Sequence, residues 1–190
     1  GDIVTVNLDI QNTSNAIVGS IVLSDILDDT RLVYQANSAV LTVGGSSTTL
    51  SDSADSDGIV DYQYNSVTRT VSLALSSLPV ASQRRLSFNV RVTTPQSGSI
   101  PNTANVLYDP DNNSATVNNV SVTTNTAVVA VPALYGVELN GVAGTPSAAP
   151  ADNLVIRPTV FQGGVSSFNN YVWNTGNITD TYNLTIGSSN

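Results

Sequence analysis

A short polar pattern occurs twice in this 190-residue chain, once near each end. Residues 10–15 read Ile-Gln-Asn-Thr-Ser-Asn, and residues 172–177 read Val-Trp-Asn-Thr-Gly-Asn. Each copy follows an apolar-rich run, which predicts a strand, an Asn-rich turn and a second strand. Aligning Asn12 with Asn174 sets the offset between the copies at 162 residues. A strand-turn-strand unit that recurs at such a distance indicates tandem β-domains.

Apolar and polar residues alternate in residues 2–10 and 86–92, which is the period-2 signature of strands with one buried face. A slip of one residue in the second run would bury an arginine, so its register is well specified. We expect the following residues to face the core: Val4, Val6, Leu8, Ile10, Leu86, Phe88, Val90 and Val92.

Shorter apolar runs, bounded mostly by Ser, Asn, Pro or Gly, follow one another along the rest of the chain. Many short strands at close spacing are typical of an immunoglobulin-like (Ig-like) β-sandwich. The further predicted strands are residues 17–27, 32–34, 40–43, 59–64, 70–75, 104–108, 116–122 and 181–186, with a polar loop over residues 44–58.

The organisation of the chain predicts one complete domain and part of another. We place the boundary after residue 131, beyond which the chain becomes rich in Gly, Pro and Ala. Residues 132–190 are too few for a complete sandwich. The predicted fold class is therefore all-β, with an Ig-like β-sandwich over residues 1–131 and the start of a second Ig-like β-domain after it. By the repeat offset, the counterpart of residues 133–162 in the first copy would precede residue 1, so we expect an excerpt of a longer exported polypeptide.

Four residue types are missing from the chain: Cys, His, Met and Lys. Without Cys and His there is no thiolate nucleophile, no disulfide, no common general base and no usual zinc ligand. Without Lys there is no Schiff-base chemistry and no Lys-to-Asn isopeptide crosslink. We therefore predict that the protein is not an enzyme.

The formal net charge is −8, from 14 acidic residues and 6 basic ones. Phosphate binding needs clustered positive charge, so we expect no nucleic-acid partner. No apolar stretch approaches the roughly 18 residues of a membrane-spanning helix, and the N-terminus lacks a signal-peptide pattern. An acidic surface suits solubility and divalent cations.

The strongest candidate site is the acidic segment 52–61, which reads Asp-Ser-Ala-Asp-Ser-Asp-Gly-Ile-Val-Asp. Its spacing resembles the middle of calcium-binding loops, in which short carboxylates and a carbonyl surround a hard cation. On this interpretation Asp55, Asp57 and Asp61 are side-chain ligands, Ile59 offers its carbonyl and Asp52 is a further candidate metal ligand. The alternative is a solvated acidic loop, because no Glu follows at the position of a bidentate ligand.

A second acidic group offers a weaker cation hypothesis. Residues 109–113 read Asp-Pro-Asp-Asn-Asn, and they could share a cation with Asp25, Asp28 and Asp29 if the two loops meet at one end of the sandwich. The alternative is turn chemistry, since Pro fixes φ and Asp and Asn form side-chain-to-backbone turns. We favour the turn.

Six short motifs follow one another in a fixed order along the first part of the chain: residues 1–6, 12–15, 22–25, 78–82, 102–106 and 109–113. Together they resemble a repeat domain of unknown function that is found in tandem in bacterial cell-surface proteins. The resemblance covers about residues 1–122 and implies an Ig-like sandwich arranged in arrays on cell walls, outer surfaces or surface layers (S-layers). It supplies no catalytic residues.

The sequence thus favours a structural module of an extracellular bacterial surface or S-layer assembly. Its partners would be neighbouring copies of the same protein or domain, and calcium is the one cofactor that the sequence suggests. The alternative is an adhesin or stalk module that binds a ligand or holds one away from the cell, or an accessory domain attached to an enzyme. An exposed aromatic cluster would favour the adhesin, whereas edge-strand contacts between copies would favour the assembly.

Overall fold

The structure is a computed structural model. It describes residues 1–27, 29–53, 60–93, 96–113, 115, 119–141 and 159–185. The described residues form β-strands and no helix, and so no helix able to cross a membrane. The strands are β1 (Ile3–Gln11), β2 (Val18–Ile26), β3 (Leu32–Tyr34), β4 (Val40–Val43), β5 (Ser46–Thr49), β6 (Val60–Asn65), β7 (Thr70–Leu78), β8 (Gln83–Val92), β9 (Gly98–Asn102), β10 (Ala104–Asp109), β11 (Val120–Thr123), β12 (Ala127–Val131), β13 (Val137–Asn140) and β14 (Tyr171–Asn174).

Two antiparallel sheets form the sandwich. In sheet A, β8 pairs with β1 on one edge and with β3 and β4 on the other, and β5 extends the sheet from β4. Sheet B has the strand order β11, β10, β2, β7, β6. The sheets face each other, because Tyr34 of sheet A stacks on Tyr64 of sheet B with 4.0 Å between ring centres. The all-β, Ig-like prediction is confirmed.

The core lies between the two sheets, and the predicted inward positions of β8 fill it. Phe88, Leu86 and Val90 are fully buried, while the arginines of β8 point outward as the register argument requires. The inward residues of β1 are only half-buried, because β1 is an edge strand of sheet A. The other buried apolar residues include Ile21, Leu23, Leu32, Leu41, Val71, Leu73, Leu75 and Leu78.

Some strands differ from the sequence-based expectations. Strand β5 lies within the predicted polar loop, where Gly44 and Gly45 adopt positive φ angles of 55° and 88° and close a hairpin between β4 and β5. Strands β9, β12 and β13 are also absent from the predicted strands. Residues 181–185 form no strand. Their counterpart in the first unit, β2, is a central strand that pairs with both β7 and β10.

The chain forms two compact units, one of Gly1–Pro95 with Ser99–Val129 and one of Gln96–Gly98 with Ala130–Asn190. The first unit contains both sheets of the sandwich. In the second unit, β13 pairs with β14 in an antiparallel ladder. The domain ranges 1–131 and 132–190 stay a prediction.

The repeated Asn pattern folds in the same way in both units. The Asn12 side chain donates to the Ala16 carbonyl at 2.8 Å and accepts the Ser14 N–H at 3.0 Å. The Asn174 side chain donates to the Ile178 carbonyl at 2.6 Å and accepts the Gly176 N–H at 2.9 Å. These are the same two bonds at the same spacings, so the alignment of Asn12 with Asn174 is also an alignment of structure.

Candidate functional site

Asp52, at the start of the acidic segment, already has protein donors on both carboxylate oxygens. One oxygen accepts the Tyr34 hydroxyl at 2.6 Å, and the other accepts the Asn37 N–H at 2.7 Å. The Asp52 carbonyl accepts the Tyr64 N–H at 3.1 Å. Through these bonds Asp52 connects Tyr34 of β3 with Tyr64 of β6.

Asp61, at the other end of the segment, lies on the opposite side of β6. Its neighbour Tyr62 is buried in the core, and successive side chains of a strand point to opposite faces. The Asp61 side chain therefore lies on the outer face of sheet B, where Ser20 and Ser76 are among its neighbours. The structure does not bring Asp52 and Asp61 together as ligands of one ion.

The central ligands of the calcium hypothesis, Asp55 and Asp57, lie outside the described residues, as does Ile59. Within the part of the chain that the structure describes, no three acidic side chains are placed to hold a metal ion. A calcium site at Asp55, Asp57 and Asp61 stays a prediction.

A tyrosine cluster (Tyr34, Tyr62, Tyr64), of which Tyr34 and Tyr62 are buried, holds the Asp52 side chain, and the sequence patterns do not predict it. The Tyr34 hydroxyl donates to Asp52 and lies 2.9 Å from the Tyr62 hydroxyl. Burial, and then the hydrogen bond to Asp52, raises the pKa of Tyr34 to about 12. Burial also raises the pKa of Tyr62. The cluster joins β3 of sheet A to β6 of sheet B through polar groups that satisfy one another.

The second cation hypothesis is wrong, because its two acidic groups lie at opposite ends of a ladder. In the pairing of β10 with β2, Asp25 lies opposite Ala104 and Asp109 lies opposite Gly19. Five residues of extended strand span about 17 Å. Asp28 lies outside the described residues, and Asp29 forms an ion pair with Arg31 at 2.6 Å, which lowers the pKa of Asp29 to about 2.

The turn interpretation of residues 109–113 is confirmed. The Asn113 N–H donates to the Asp111 side chain at 3.0 Å, and the Ala115 N–H donates to the Asn113 side chain at 3.1 Å. Such side-chain-to-backbone bonds are what Asp and Asn provide in turns. The segment also packs on β2, since a Cβ atom at Gly19 would lie 1.9 Å from the Asn112 side-chain oxygen.

The edge of β1 that faces away from β8 is the feature of the first unit that is most open to a partner. In the described residues β1 pairs with β8 alone. The Asn12 N–H donates to the Ser82 carbonyl and the Asp2 carbonyl accepts the Val92 N–H, so the even-numbered residues of this stretch bond toward β8. Successive residues of an antiparallel strand alternate their bonding edge. The backbone groups of Asp9, Gln11 and Thr13 therefore point to the free side, which we call the open edge.

A groove of about 370 Å³ runs between the open edge and sheet B. Ile10 and Asn12 line it on the β1 side, and Val106, Tyr108 and Val122 line it from β10 and β11. Val122 is 50% exposed. An edge strand next to exposed apolar side chains is a template for another strand.

The aromatic residues of the first unit do not form an exposed binding platform. Tyr34, Tyr62 and Phe88 are buried, and Tyr64 and Tyr108 are half-buried. The single Trp173, in the second unit, is also half-buried, and its indole N–H donates to the Asn140 side chain at 3.1 Å.

The fold is similar to solved structures of bacterial surface proteins. The major pilin subunit BcpA of Bacillus cereus, as its D312A variant, matches with a TM-score of 0.55 and 12% identity over 91% of this chain and 50% of that chain. BcpA itself matches with a TM-score of 0.51 and 15% identity, over 90% and 50% of the two chains. This chain thus spans half the length of that pilin subunit.

A collagen-binding subdomain of a bacterial surface protein has a similar fold. ACE19, the collagen-binding subdomain of the Enterococcus faecalis surface protein ACE, matches with a TM-score of 0.51 and 11% identity over 68% of this chain and 88% of that chain. No protein-family model and no curated protein match the sequence. What the solved structures share with this chain is its fold, an Ig-like β-sandwich.

Proposed function

We propose that this chain is a non-catalytic structural module of a bacterial cell-surface assembly, in which it acts through contacts between domains and between copies. The open edge of β1 is the observation that carries the proposal. Among the described residues this edge has no strand partner, and a groove with apolar walls runs beside it. The edge lies on a domain whose turn motif recurs in the next unit of the same chain. Such an edge favours a strand partner over a small molecule.

The composition and the fold support the same proposal. The chain has no His, Cys or Lys to act as base, nucleophile or metal-thiolate ligand. The fold is similar to that of BcpA, the major pilin subunit of Bacillus cereus. A location outside the cell and partners of the same kind follow from the proposal. The finer suggestion, an S-layer, rests on the acidic, lysine-free composition.

An adhesin module is the second candidate. Exposed aromatic side chains in the second unit favour it, since Tyr135 is 69% exposed and Phe161 is 90% exposed. ACE19 shows that this fold occurs in a collagen-binding domain. Saturable binding of the chain to immobilised collagen or cell-surface glycans, in the absence of self-association, would favour the adhesin.

Sedimentation velocity over a series of protein concentrations tests the structural proposal. We expect the weight-average sedimentation coefficient of the full chain to rise with concentration as copies associate. A tandem array needs only weak contacts, because linkage raises the effective concentration of each domain. A coefficient that stays monomeric up to the solubility limit would contradict the proposal.

Calcium binding belongs to the same proposal, with Asp55, Asp57 and Asp61 as the side-chain ligands of the ion. Binding to the folded state alone would raise the melting temperature and would strengthen association if the loop lies at a contact. Melting with excess calcium, with excess magnesium and with chelator measures this. The change Asp57→Asn should remove the calcium effect, and an equal response in this variant would argue against the site.

A further inference from the structure

The outer face of sheet A carries an exposed arginine between two exposed apolar side chains. In the ladders of β8, Arg91 lies opposite Ile3 of β1 on one side and opposite Val33 of β3 on the other. All three residues are exposed, since they alternate with the buried residues of their strands. We call Ile3, Arg91 and Val33 the arginine row.

Arg91 differs from Arg85, the other arginine of this face, in its partners. Arg85 donates to both carboxylate oxygens of Asp9, each at 2.8 Å. Arg91 approaches the Gln35 side-chain oxygen at 3.5 Å, the long limit of a hydrogen bond, and pairs with no acidic side chain of the described residues. Its charge therefore stands free between apolar neighbours, a setting in which arginine contributes strongly to protein interfaces.

The outer face of sheet B carries a matching row of opposite charge. In its ladders Asp61 of β6 lies opposite Ala74 of β7, Ala74 opposite Val22 of β2, and Val22 opposite Leu107 of β10. Val22 and Leu107 are exposed. Among the strand residues that the structure describes on this face, Asp61 is the charged one. We call these four residues the acidic row.

Asp61 shares a hollow of about 150 Å³ with Ser20 and Ser76. Ser20 lies at a bulge in β2, where the register with β10 shifts, and it has a φ of 49°. Bulges redirect side chains, and strained residues of this kind occur often at functional sites. The hollow is smaller than the roughly 300 Å³ of pockets that hold whole small molecules, so it suits a side-chain head group. A guanidinium group fits its chemistry, because its N–H fork donates to a carboxylate and to hydroxyl oxygens.

From this complementarity of charge and shape we propose that the Asp61 hollow of one copy receives the Arg91 side chain of a second copy, so that the outer face of sheet B packs on the outer face of sheet A. Neighbouring strands lie about 4.8 Å apart on both faces. With Arg91 over Asp61, an apolar neighbour of Arg91 therefore comes over Ala74.

The contact joins two different faces of the same domain, so it repeats head to tail along a row of copies. The inference rests on the proposed function, because it requires copies to meet, and it names a contact separate from the open edge.

Sedimentation velocity of the full chain with charge-reversed variants tests this contact. The buffer contains chelator, because Asp61 is also a predicted calcium ligand. Asp61→Arg and Arg91→Glu each place like charges across the contact, so each should weaken association about tenfold or more. An equimolar mixture of the two variants pairs opposite charges again, and association should return. Asp61→Arg also makes the chain less acidic, so a general loss of repulsion would have the opposite effect.

Arg84→Glu is the matched control. It makes the same charge change on the same strand, but Arg84 has the parity of the inward residues of β8, away from the arginine row. Association of this variant should be unchanged. The melting temperature of each variant shows whether it folds, and Ser76→Arg, at an exposed position in the same hollow, replaces Asp61→Arg if the latter does not.

Two results would overturn the inference and leave the proposed function standing on another contact. One is association of Asp61→Arg or Arg91→Glu as strong as that of the unaltered chain. The other is a mixture that associates as weakly as its two components. An unaltered chain that stays monomeric at all concentrations would instead contradict the proposed function, and this contact with it.

Discussion

Asn12→Ala is expected to lower the free energy of unfolding of the first unit by about 3 kcal/mol. Asn12 is 4% exposed, and its amide donates to the Ala16 carbonyl at 2.8 Å and the Leu78 carbonyl at 2.9 Å. Its side-chain oxygen accepts both the N–H and the hydroxyl of Ser14. Alanine removes all four bonds and leaves the Leu78 carbonyl buried without this donor. Urea unfolding followed by far-UV circular dichroism measures the change.

The aligned residue in the second unit supplies the control. Asn174 makes the same two local bonds but is exposed, so water can replace its side chain. Asn174→Ala should therefore cost about 0.5 kcal/mol or less. Equal effects of the two substitutions would show that the buried bond to Leu78 contributes nothing, which would contradict our description of the turn.

Tyr34→Phe is expected to cost about 2–3 kcal/mol, the second largest effect. The substitution keeps the ring that stacks on Tyr64 but removes the hydroxyl that bonds to Asp52 at 2.6 Å and contacts Tyr62. Hydrogen bonds to charged groups contribute more than neutral ones. Tyr62→Phe is the matched variant, because it loses one neutral bond and leaves the bond to Asp52 in place, so it should cost about 1 kcal/mol. A larger loss in Tyr62→Phe than in Tyr34→Phe would contradict this network.

The same cluster makes stability depend on pH in the alkaline range. The pKa of Tyr34 is about 12 in the folded chain and 10.0 in its ordinary state, so the unfolded chain releases this proton first. The stabilisation is fully present below pH 10 and is lost as the pH rises through 12. Tyrosinate absorbance and circular dichroism, followed together, should show these buried tyrosines ionising only as the fold is lost. Ionisation of all tyrosines near pH 10 in a folded chain would argue against their burial.

The sequence specifies the inner faces of the sandwich well because burial has a simple period. In β8, apolar residues alternate with polar or charged ones, and the burial of Phe88 and Val90 follows directly. The Asn12 turn is equally local, since its main partners lie two and four residues along the chain. Strand β5 carries only Ser and Thr and shows no apolar period, although Gly44 and Gly45 before it form a recognisable hairpin signal.

The tyrosine cluster and the open edge could not be predicted in this way, because both depend on distant pairings. Tyr34 and Tyr62 are separated by 28 residues and meet only after the two sheets pack. Asp52 is a similar case. Its carboxylate looks like part of a calcium loop in the sequence, whereas in the fold it accepts hydrogen bonds from the Tyr34 hydroxyl and the Asn37 N–H. That β1 lies at an edge is a property of strand order, which no local pattern determines.

Amide hydrogen exchange of the full chain, measured by NMR at low and high protein concentration, tests the central claim most directly. We predict that the N–H groups of Gln11 and Thr13 on the open edge exchange fast in dilute solution and become protected as copies associate. Those of Ile10 and Asn12, which bond toward β8, should be protected at both concentrations. Exchange rates for Gln11 and Thr13 that do not change with concentration, in a chain shown to associate, would contradict assembly through the open edge of β1.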